Sequence, residues 1–260
     1  MPDMIESIGN ERVKAWKKLH DKQERLVKGQ LLIEGVRLVN EAVQAGLVEC
    51  LILLQGHALS ADFQAQHSQL PCVEVSQRVL ESISDTRTPQ PVMAICKLPR
   101  RKWNGACPGR FYVIADGIKD PGNLGTLLRT ADAAGVDGVL LHDTVDPWNA
   151  KVVRAAMGAA FRGWVQEEFP IMAGIVTLQK AGFKVIGSHL NGQSLYGAPN
   201  DLFTGKLALI IGSEAEGMSK EACAACDAMM HITMPGHAES LNASVAAGIL
   251  MYEVVRRSNM

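Results

Sequence analysis

Residues 110–125 read Arg110-Phe-Tyr-Val-Ile-Ala-Asp-Gly-Ile-Lys-Asp-Pro-Gly-Asn-Leu-Gly125, an apolar strand that runs directly into a loop with two glycines. The pattern predicts a helix over 123–134 after the loop and another apolar strand over 138–141. Apolar strands that alternate with helices are typical of a mostly parallel sheet with helices on both faces. Such sheets bind ligands at the carboxyl ends of their strands, so this stretch indicates both an α/β fold class and the position of a site.

The same alternation extends in both directions along the chain. Toward the C-terminus the pattern predicts a helix over 150–160, strands over 184–187 and 207–211, and a helix over 241–256. Toward the N-terminus it predicts a smaller α/β sandwich, whose expected elements are a helix over 10–28, strands over 31–35, 48–54, 73–75 and 92–95, and helices over 36–45 and 77–83. We therefore expect an α/β protein with a smaller domain ahead of a larger one.

Residues 97–110 separate these two regions. The stretch carries five basic residues and no acidic residue, and its two prolines and two glycines disfavour regular structure. It predicts a basic linker between a first domain over 1–96 and a second over 111–260. Its cations could bind a phosphate backbone with Trp103 as a stacking surface for a base, or they could be solvated, and the sequence leaves both interpretations open.

The composition excludes several classes of protein. Of the 260 residues, 47% are hydrophobic and 20% are charged, which is typical of a globular chain and not of a disordered, collagen-like or disulfide-scaffold protein. The net charge of −1 excludes a uniformly basic nucleic-acid binder but not a local basic patch. The six scattered cysteines are expected to be reduced thiols. No apolar run approaches the roughly 18–20 residues of a membrane span, and the N-terminal stretch lacks a signal-peptide segment, so we expect a cytoplasmic protein without a membrane partner.

Three loops carry the candidate site residues. In the first, Asn123 and Arg129 are either a helix cap and a surface cation or a binding site for an anion. The second, Gly212-Ser-Glu-Ala-Glu-Gly217, directly follows a buried strand. The third ends on three polar residues ahead of an apolar helix: Glu239, Ser240, which is a suitable N-cap, and Asn242. The glycines match neither the dinucleotide fingerprint nor the P-loop, so nicotinamide and nucleoside triphosphate cofactors lose support.

Three ordered stretches of the second domain carry motifs that resemble one known family. They are the run Asp116-Gly-Ile-Lys-Asp-Pro-Gly-Asn-Leu-Gly-Thr-Leu-Leu-Arg-Thr-Ala-Asp-Ala-Ala-Gly135, the run Ile211-Gly-Ser-Glu-Ala-Glu-Gly-Met-Ser219, and residues 234–248. Together they resemble the motifs of the SpoU-type RNA 2′-O-ribose methyltransferases of the trefoil-knot superfamily, and the likeness spans 111–257. A weaker match covers 149–159. The N-terminal half is similar to the substrate-binding domain, related in fold to a ribosomal protein, that many members carry.

The resemblance implies an S-adenosylmethionine-dependent enzyme whose C-terminal segment forms a deep trefoil knot, with the cofactor bound inside the knot. Carried over by position, it assigns the cofactor pocket to Ile211, Gly212, Gly217, Ile232, Met234 and Leu241. It assigns the reaction to Arg129, with four polar residues that orient the ribose and this arginine: Asn123, Glu214, Ser240 and Asn242. It also implies a homodimer whose active site is completed across the interface, and it implies no metal ion.

Transfer of a methyl group to a ribose 2′-hydroxyl requires in-line placement of the reacting groups and the loss of a proton. A free guanidinium has a pKa above about 12 and is a poor base. We therefore hypothesise that Arg129 binds the neighbouring RNA phosphate. Either this phosphate or Arg129 with a lowered pKa then accepts the proton, while the positive charge stabilises the developing alkoxide.

The sequence departs from the commonest family pattern at two positions, and neither departure removes an assigned side chain. Ala156 stands where the middle segment often has serine, and Ala243 stands where the third motif often has valine. The loop over 235–240 is shorter than in some relatives, so the resemblance assigns no role to Glu239.

Large-subunit ribosomal RNA is the expected substrate, because the two-domain plan resembles that of family members that act on it. Transfer RNA is the alternative substrate. A non-catalytic RNA-binding assembly factor is an alternative function, and the complete set of polar site residues argues against it. A small-molecule methyltransferase or dehydrogenase predicts a glycine fingerprint after the first strand, which the sequence lacks.

Two further patterns are interpreted as structural. Cys223 and Cys226, with His231 and His237 nearby, have the spacing of a zinc or redox site, but a single CxxC in an alanine-rich helical segment more often contributes to packing. Basic residues of the N-terminal helical region are expected to form a solvated face, with RNA contact as the alternative: Lys14, Lys17, Lys18, Lys22, Arg25 and Lys28.

Overall fold

The computed structural model describes residues 3–162 and 165–258. The chain divides into two compact units. The first contains residues up to 99 together with 148–161, and the second contains 100–147 together with the residues from 162 onward. Within the described ranges, none of the helices is long and apolar enough to cross a membrane.

The first unit is a five-stranded sheet covered by helices, which confirms the predicted α/β sandwich. Its strands are β1 (Asp3–Ile5), β2 (Gln30–Glu34), β3 (Val48–Leu54), β4 (Cys72–Val75) and β5 (Val92–Lys97), in the order β1-β4-β3-β5-β2. Strand β5 runs antiparallel to β2 and β3, and the other pairs are parallel. Its helices include α1 (Glu11–Lys18), α2 (Lys22–Lys28), α3 (Val36–Gln44), α4 (Ala58–Gln66) and α5 (Gln77–Ile83).

The single helix predicted over 10–28 is wrong, because the structure has two helices there. Helix α1 ends at Lys18, and Asp21 begins α2 by accepting hydrogen bonds from the backbone N–H groups of Gln23 and Glu24. An aspartate that caps a helix start in this way favours a break over a continuous helix.

The single helix predicted over 150–160 is also interrupted. The structure has α7 (Ala150–Ala156) and α8 (Ala159–Arg162), separated by Met157 and Gly158, which both have positive φ. Gly158 packs so closely on α3 that a Cβ atom there would lie 2.5 Å from Cγ of Glu41. The sequence pattern assigned this segment to the second domain, whereas the structure groups it with the first unit through contacts such as this one.

The second unit is a six-stranded parallel sheet with helices on its faces, as the alternating pattern predicts. Its strands are β6 (Phe111–Asp116), β7 (Gly138–His142), β8 (Val165–Gln166), β9 (Phe183–Ser194), β10 (Lys206–Gly212) and β11 (Ala228–His231), in the order β11-β9-β10-β6-β7-β8. Its other helices include α6 (Pro121–Ala133), α9 (Ile171–Lys180), α10 (Lys220–Ala225) and α11 (Ala243–Ser258). Every residue of β6 is buried, and so is all of β10 after Lys206, because the two central strands are covered on both faces.

The basic stretch ahead of β6 is packed against the edge of this sheet. The backbone of Arg101 accepts from Glu167 N at 2.9 Å, and the indole of Trp103 meets the ring of Phe169 edge-on with centroids 5.1 Å apart. Arg100 and Lys102 both pair with the Glu168 carboxylate, at 2.5 and 2.8 Å. These contacts indicate that Trp103 contributes to packing, and they do not favour its use as a stacking surface for a base.

The C-terminal helix is clamped to the segment that follows β9. The Arg257 guanidinium donates to the carbonyls of Ala198 (2.5 Å) and Leu195 (3.0 Å), and its Nε bonds to Glu253 Oε1 at 2.6 Å. The same group lies over the ring of Phe203, 4.6 Å from its centroid. Because the Arg257 side chain is only 5% exposed, these bonds are shielded from water.

Replacing Arg257 by alanine is expected to lower the free energy of unfolding by about 3 kcal/mol, because breaking a buried ion pair leaves a buried charge and unpaired carbonyls. Urea unfolding monitored by circular dichroism measures the change. Arg256→Ala is the matched control, since Arg256 pairs with the same carboxylate but is 66% exposed. Equal losses of unfolding free energy in the two variants would contradict the role assigned to the buried Arg257 contacts.

The same carboxylate predicts a pH dependence of stability. Hydrogen bonds from Arg256 and Arg257 lower the pKa of Glu253 to about 2 from its ordinary value of 4.5. The ionised pair therefore stabilises the fold above pH 4.5, and this contribution is lost as the pH falls toward 2. In unfolding series between these pH values, Glu253→Gln should lose less stability with falling pH than the unmodified chain, and equal slopes would refute the assignment.

Candidate active site

A cavity of about 390 Å³ opens at the carboxyl edge of the parallel sheet. All six residues assigned to the cofactor by resemblance line it: Ile211, Gly212, Gly217, Ile232, Met234 and Leu241. Glu214 and Ser240 line it as well. Its volume lies within the range of about 300–1,000 Å³ that is usual for small-molecule sites.

The loop after β10 is closed by a pair of backbone hydrogen bonds. Ser213 N donates to Gly217 O and Gly217 N donates to Ser213 O, both at 3.0 Å. Gly212 lies against this closure, because a Cβ atom there would be 2.2 Å from the carbonyl carbon of Gly217 and from Met218 N. Only glycine allows so close an approach of two backbone segments. The loop therefore presents backbone groups and small side chains to the cavity, which fits a compact ligand such as S-adenosylmethionine.

A chain of side-chain hydrogen bonds joins the three motif loops. Asn123 Nδ2 donates to Glu214 Oε1, and Asn242 Nδ2 donates to Asn123 Oδ1 at 2.8 Å. Asn242 Oδ1 in turn accepts from Ser244 Oγ at 2.6 Å and from Ser244 N at 3.0 Å. The fold thus brings together residues up to 119 positions apart.

The same bonds identify the residue that begins the last helix. Asn242 accepts from the N–H groups of Ser244 and Val245, so Asn242 is the helix cap. The N-cap role predicted for Ser240 is therefore wrong. Ser240 is exposed at the cavity instead, and Glu239 is exposed and does not line it.

Helix α6 supplies both Asn123 and Arg129. It begins at Pro121, ahead of the predicted start, because Asp120 Oδ1 accepts from Asn123 N at 2.8 Å and proline suits the first helical position. Arg129 lies farther along this helix and is exposed. Among the residues that the structure describes, no acidic group pairs with the Arg129 guanidinium, so its donors are available to an incoming phosphate.

Sequence patterns missed one wall of the cavity. Residues 188–191 line it together with His231, Ala246 and Leu250. The predicted strand over 184–187 is too short, since β9 continues to Ser194. No local signal reveals this extension, because most of the added residues are polar, and the pairing of Gln193 and Ser194 to β11 follows a register shift between Met229 and Met230.

The CxxC pair is part of the packing of α10. Cys223 and Cys226 contact the core cluster of the second unit. Burial raises the pKa of Cys226 to about 12 and also raises the pKa of Cys223. Burial therefore disfavours the thiolate form that a nucleophilic cysteine requires, and the contacts of both side chains favour the packing role.

The parallel sheet, the cavity at its carboxyl edge and the polar chain beside it define a cofactor-binding α/β enzyme. The model of the SpoU rRNA Methylase family matches residues 110–252, and the chain belongs to this family. Residues 10–94 match the MRM3-like substrate binding domain. The protein is an RNA 2′-O-ribose methyltransferase that uses S-adenosylmethionine.

Individual relatives agree with this assignment. The chain is 37% identical over 254 residues to the 23S rRNA (guanosine(2553)-2′-O)-methyltransferase RlmP of Bacillus subtilis (strain 168). The alignment covers 96% of this chain and 98% of RlmP. The AdoMet-bound rRNA methyltransferase from Sinorhizobium meliloti is 29% identical with a TM-score of 0.82, over 98% and 97% of the two chains. The SpoU methyltransferase AviRb from Streptomyces viridochromogenes, in complex with AdoMet, is 27% identical with a TM-score of 0.83, over 95% and 98%.

Proposed function

We propose that this enzyme methylates a ribose 2′-hydroxyl of large-subunit ribosomal RNA, which implies that it acts in the cytoplasm. The observation that carries the choice of RNA is the likeness to RlmP along nearly the whole length of both chains, since it includes the substrate-binding domain as well as the catalytic one. Transfer RNA remains the alternative substrate.

The proposed division of labour follows the two domains predicted at 1–96 and 111–260. In the first, four lysines of α1, α2 and the adjoining residues are exposed and have no ion pair within the described part of the chain: Lys17, Lys18, Lys22 and Lys28. Lys14 pairs with Glu11, and the buried Arg25 donates to backbone carbonyls. The four exposed lysines therefore supply the cations that a phosphate backbone would contact.

The proposed chemistry depends on how the chain holds its polar groups. Bound S-adenosylmethionine supplies a methyl group on a positively charged sulfur. Ile211, Ile232 and Met234 wall the cavity that would hold it, and Gly212 and Gly217 offer backbone groups. The chain Glu214–Asn123–Asn242 then fixes the amide of Asn123 beside the cavity, where it orients the ribose.

Arg129 is the group we assign to charge stabilisation. Its exposed guanidinium forks onto the RNA phosphate next to the target ribose. There its charge stabilises the alkoxide that forms as the 2′-hydroxyl loses its proton, and the proton acceptor is either this phosphate or Arg129. Ser240, which is exposed and lines the cavity, is assigned to orienting the ribose.

The function is tested by transfer of labelled methyl groups to RNA from a strain that lacks the gene. Large-subunit RNA, small-subunit RNA and transfer RNA are separated, digested to nucleosides and analysed for label. We expect a single 2′-O-methylated nucleoside from large-subunit RNA, and no label with the Arg129→Ala enzyme. Label confined to transfer RNA would favour the alternative substrate, and cofactor binding without label in any RNA or ribosomal particle would favour the assembly factor.

We also propose that the enzyme is a homodimer. Helix α11 exposes an apolar stripe at helical spacing, formed by Val245 (50% exposed), Ile249 and Tyr252 (51% exposed). Exposed apolar stripes of this kind mark interaction surfaces. The stripe lies on the helix that packs against α6, where a Cβ atom at Gly248 would lie 3.5 Å from Cγ2 of Thr130, the residue next to Arg129.

Replacing Tyr252 by arginine is therefore expected to convert the dimer into a monomer and to lower methylation at least about tenfold, because charges are depleted from interface cores and the active site is completed by the second subunit. Light scattering coupled to gel filtration measures the mass. Val176→Arg on α9, another exposed apolar position (41% exposed), is the control and should remain dimeric. A Tyr252→Arg dimer with full activity would refute this interface.

A further inference from the structure

Asp116 is a buried carboxylate that the reaction scheme does not use. It is the last residue of β6 and is 2% exposed. Its Oδ2 atom accepts a hydrogen bond from the backbone N–H of Ser219 at 2.7 Å. In the sheet register Asp116 lies directly beside Gly212, the residue at which the cofactor loop begins. Asp116 therefore contacts both ends of the loop over 212–219. It pairs with Gly212 through the sheet and accepts from Ser219 through its side chain.

This loop carries the parts of the site that require accurate placement. It contributes Gly212, Glu214 and Gly217 to the cavity, and Glu214 receives the hydrogen bond from Asn123. Its internal hydrogen bonds include the backbone pair between Ser213 and Gly217 and the bond from Glu216 N to Ser213 Oγ at 3.2 Å, which shape the tip but do not attach the loop to the sheet. The Asp116–Ser219 bond supplies that attachment.

The bond also compensates for the burial of a carboxyl group in this position. Burying a carboxylate is costly unless it is compensated, and a hydrogen bond to an ionised acceptor is stronger than one between neutral groups. Asp116 lies at the start of α10, because Ser219, from whose N–H it accepts, directly precedes that helix. Ser219 is also the cap of that helix, since its Oγ accepts from Ala222 N at 3.3 Å.

We propose that Asp116 is a positioning residue that fixes the loop over 212–219 for cofactor binding. The proposal rests on the cofactor site but not on the choice of RNA, because it is tested by S-adenosylmethionine binding without RNA. The hydrogen bond between Ser219 N and Asp116 Oδ2 can be removed in two independent ways, by changing the acceptor or by changing the donor.

From the acceptor side, Asp116→Ala should weaken binding of S-adenosylmethionine by about tenfold, as measured by calorimetry, since a charge-assisted hydrogen bond is lost. Asp116→Asn keeps an acceptor oxygen and should recover most of the affinity. Asp137→Ala is the matched control, because Asp137 accepts from Arg110 N and Phe111 N at the other end of the same strand. It should lower Tm without changing cofactor affinity.

From the donor side, Ser219→Pro removes the N–H group itself. The φ of Ser219 is −58°, which proline adopts without strain. Ser219→Ala keeps the N–H and loses only the hydroxyl cap. We expect Ser219→Pro to weaken cofactor binding as much as Asp116→Ala, Ser219→Ala to weaken it less than about twofold, and the double variant Asp116→Ala/Ser219→Pro to be no weaker than either single variant.

Steady-state kinetics separate positioning from general destabilisation. In Asp116→Ala the KM for S-adenosylmethionine should rise with the dissociation constant and by a larger factor than kcat at saturating cofactor falls, while the KM for RNA changes less than about twofold. Unchanged cofactor affinity in Asp116→Ala, equal effects of Ser219→Pro and Ser219→Ala, or additive losses in the double variant would each overturn the proposal. If Asp116→Ala does not fold, the two Ser219 variants decide the question alone.

Discussion

Arg129→Lys is expected to lower the rate of methyl transfer to RNA by at least about a hundredfold while leaving S-adenosylmethionine affinity unchanged. Lysine keeps the positive charge but loses the planar fork that binds a phosphate through two parallel hydrogen bonds. Groups that stabilise charge in a transition state are commonly worth about 10²–10³ in rate. Single-turnover methylation with saturating cofactor measures the loss, and calorimetry measures the affinity.

The control for this experiment is Arg162→Lys. Arg162 is also partly exposed in the second unit, but it pairs with Asp132 at 3.1 Å and is not assigned to the reaction. It should keep the full rate. If Arg129→Lys also keeps the full rate, the guanidinium fork has no part in catalysis and the hypothesis about Arg129 fails.

Gly212→Ala is expected to abolish measurable S-adenosylmethionine binding, a loss of at least about a hundredfold, while the chain still folds. The added methyl group would lie 2.2 Å from backbone atoms of Gly217 and Met218, and contacts under 3.0 Å force one segment to move. The neighbouring atoms are backbone, so a change of rotamer cannot relieve the clash, and the loop over 212–217 that lines the cavity must move.

Gly197→Ala provides the matched control, because a Cβ atom at Gly197 meets nothing within 4 Å. Its cofactor affinity and Tm should equal those of the unmodified chain. Should Gly212→Ala bind the cofactor normally, the close approach of the two backbone segments would be unimportant for the site. The two glycine variants and the two arginine variants together separate loss of binding from loss of the chemical step.

Much of the fold could be predicted from local patterns. Strands β6 and β10 are short apolar runs because both faces of the central strands are buried, and the loops after them carry the candidate site residues for the same topological reason. The limits of the prediction lie where a helix is interrupted inside a stretch of helix-forming residues. The helix predicted over 10–28 ends at Lys18, ahead of Asp21, which caps the next helix. The helix predicted over 150–160 ends ahead of Met157, which lies in the left-handed region next to Gly158.

The sequence by itself determined the α/β class and the family motifs, and these motifs identified part of the cavity lining but not residues 188–191. Periodic burial and residue type are local properties, so they can be read from neighbours in the chain. Only the tertiary structure decided how the site is held together. Asn242 meets Asn123 across 119 positions and Asp116 meets Ser219 across 103, and hydrogen bonds between such distant residues leave no periodic trace in the sequence.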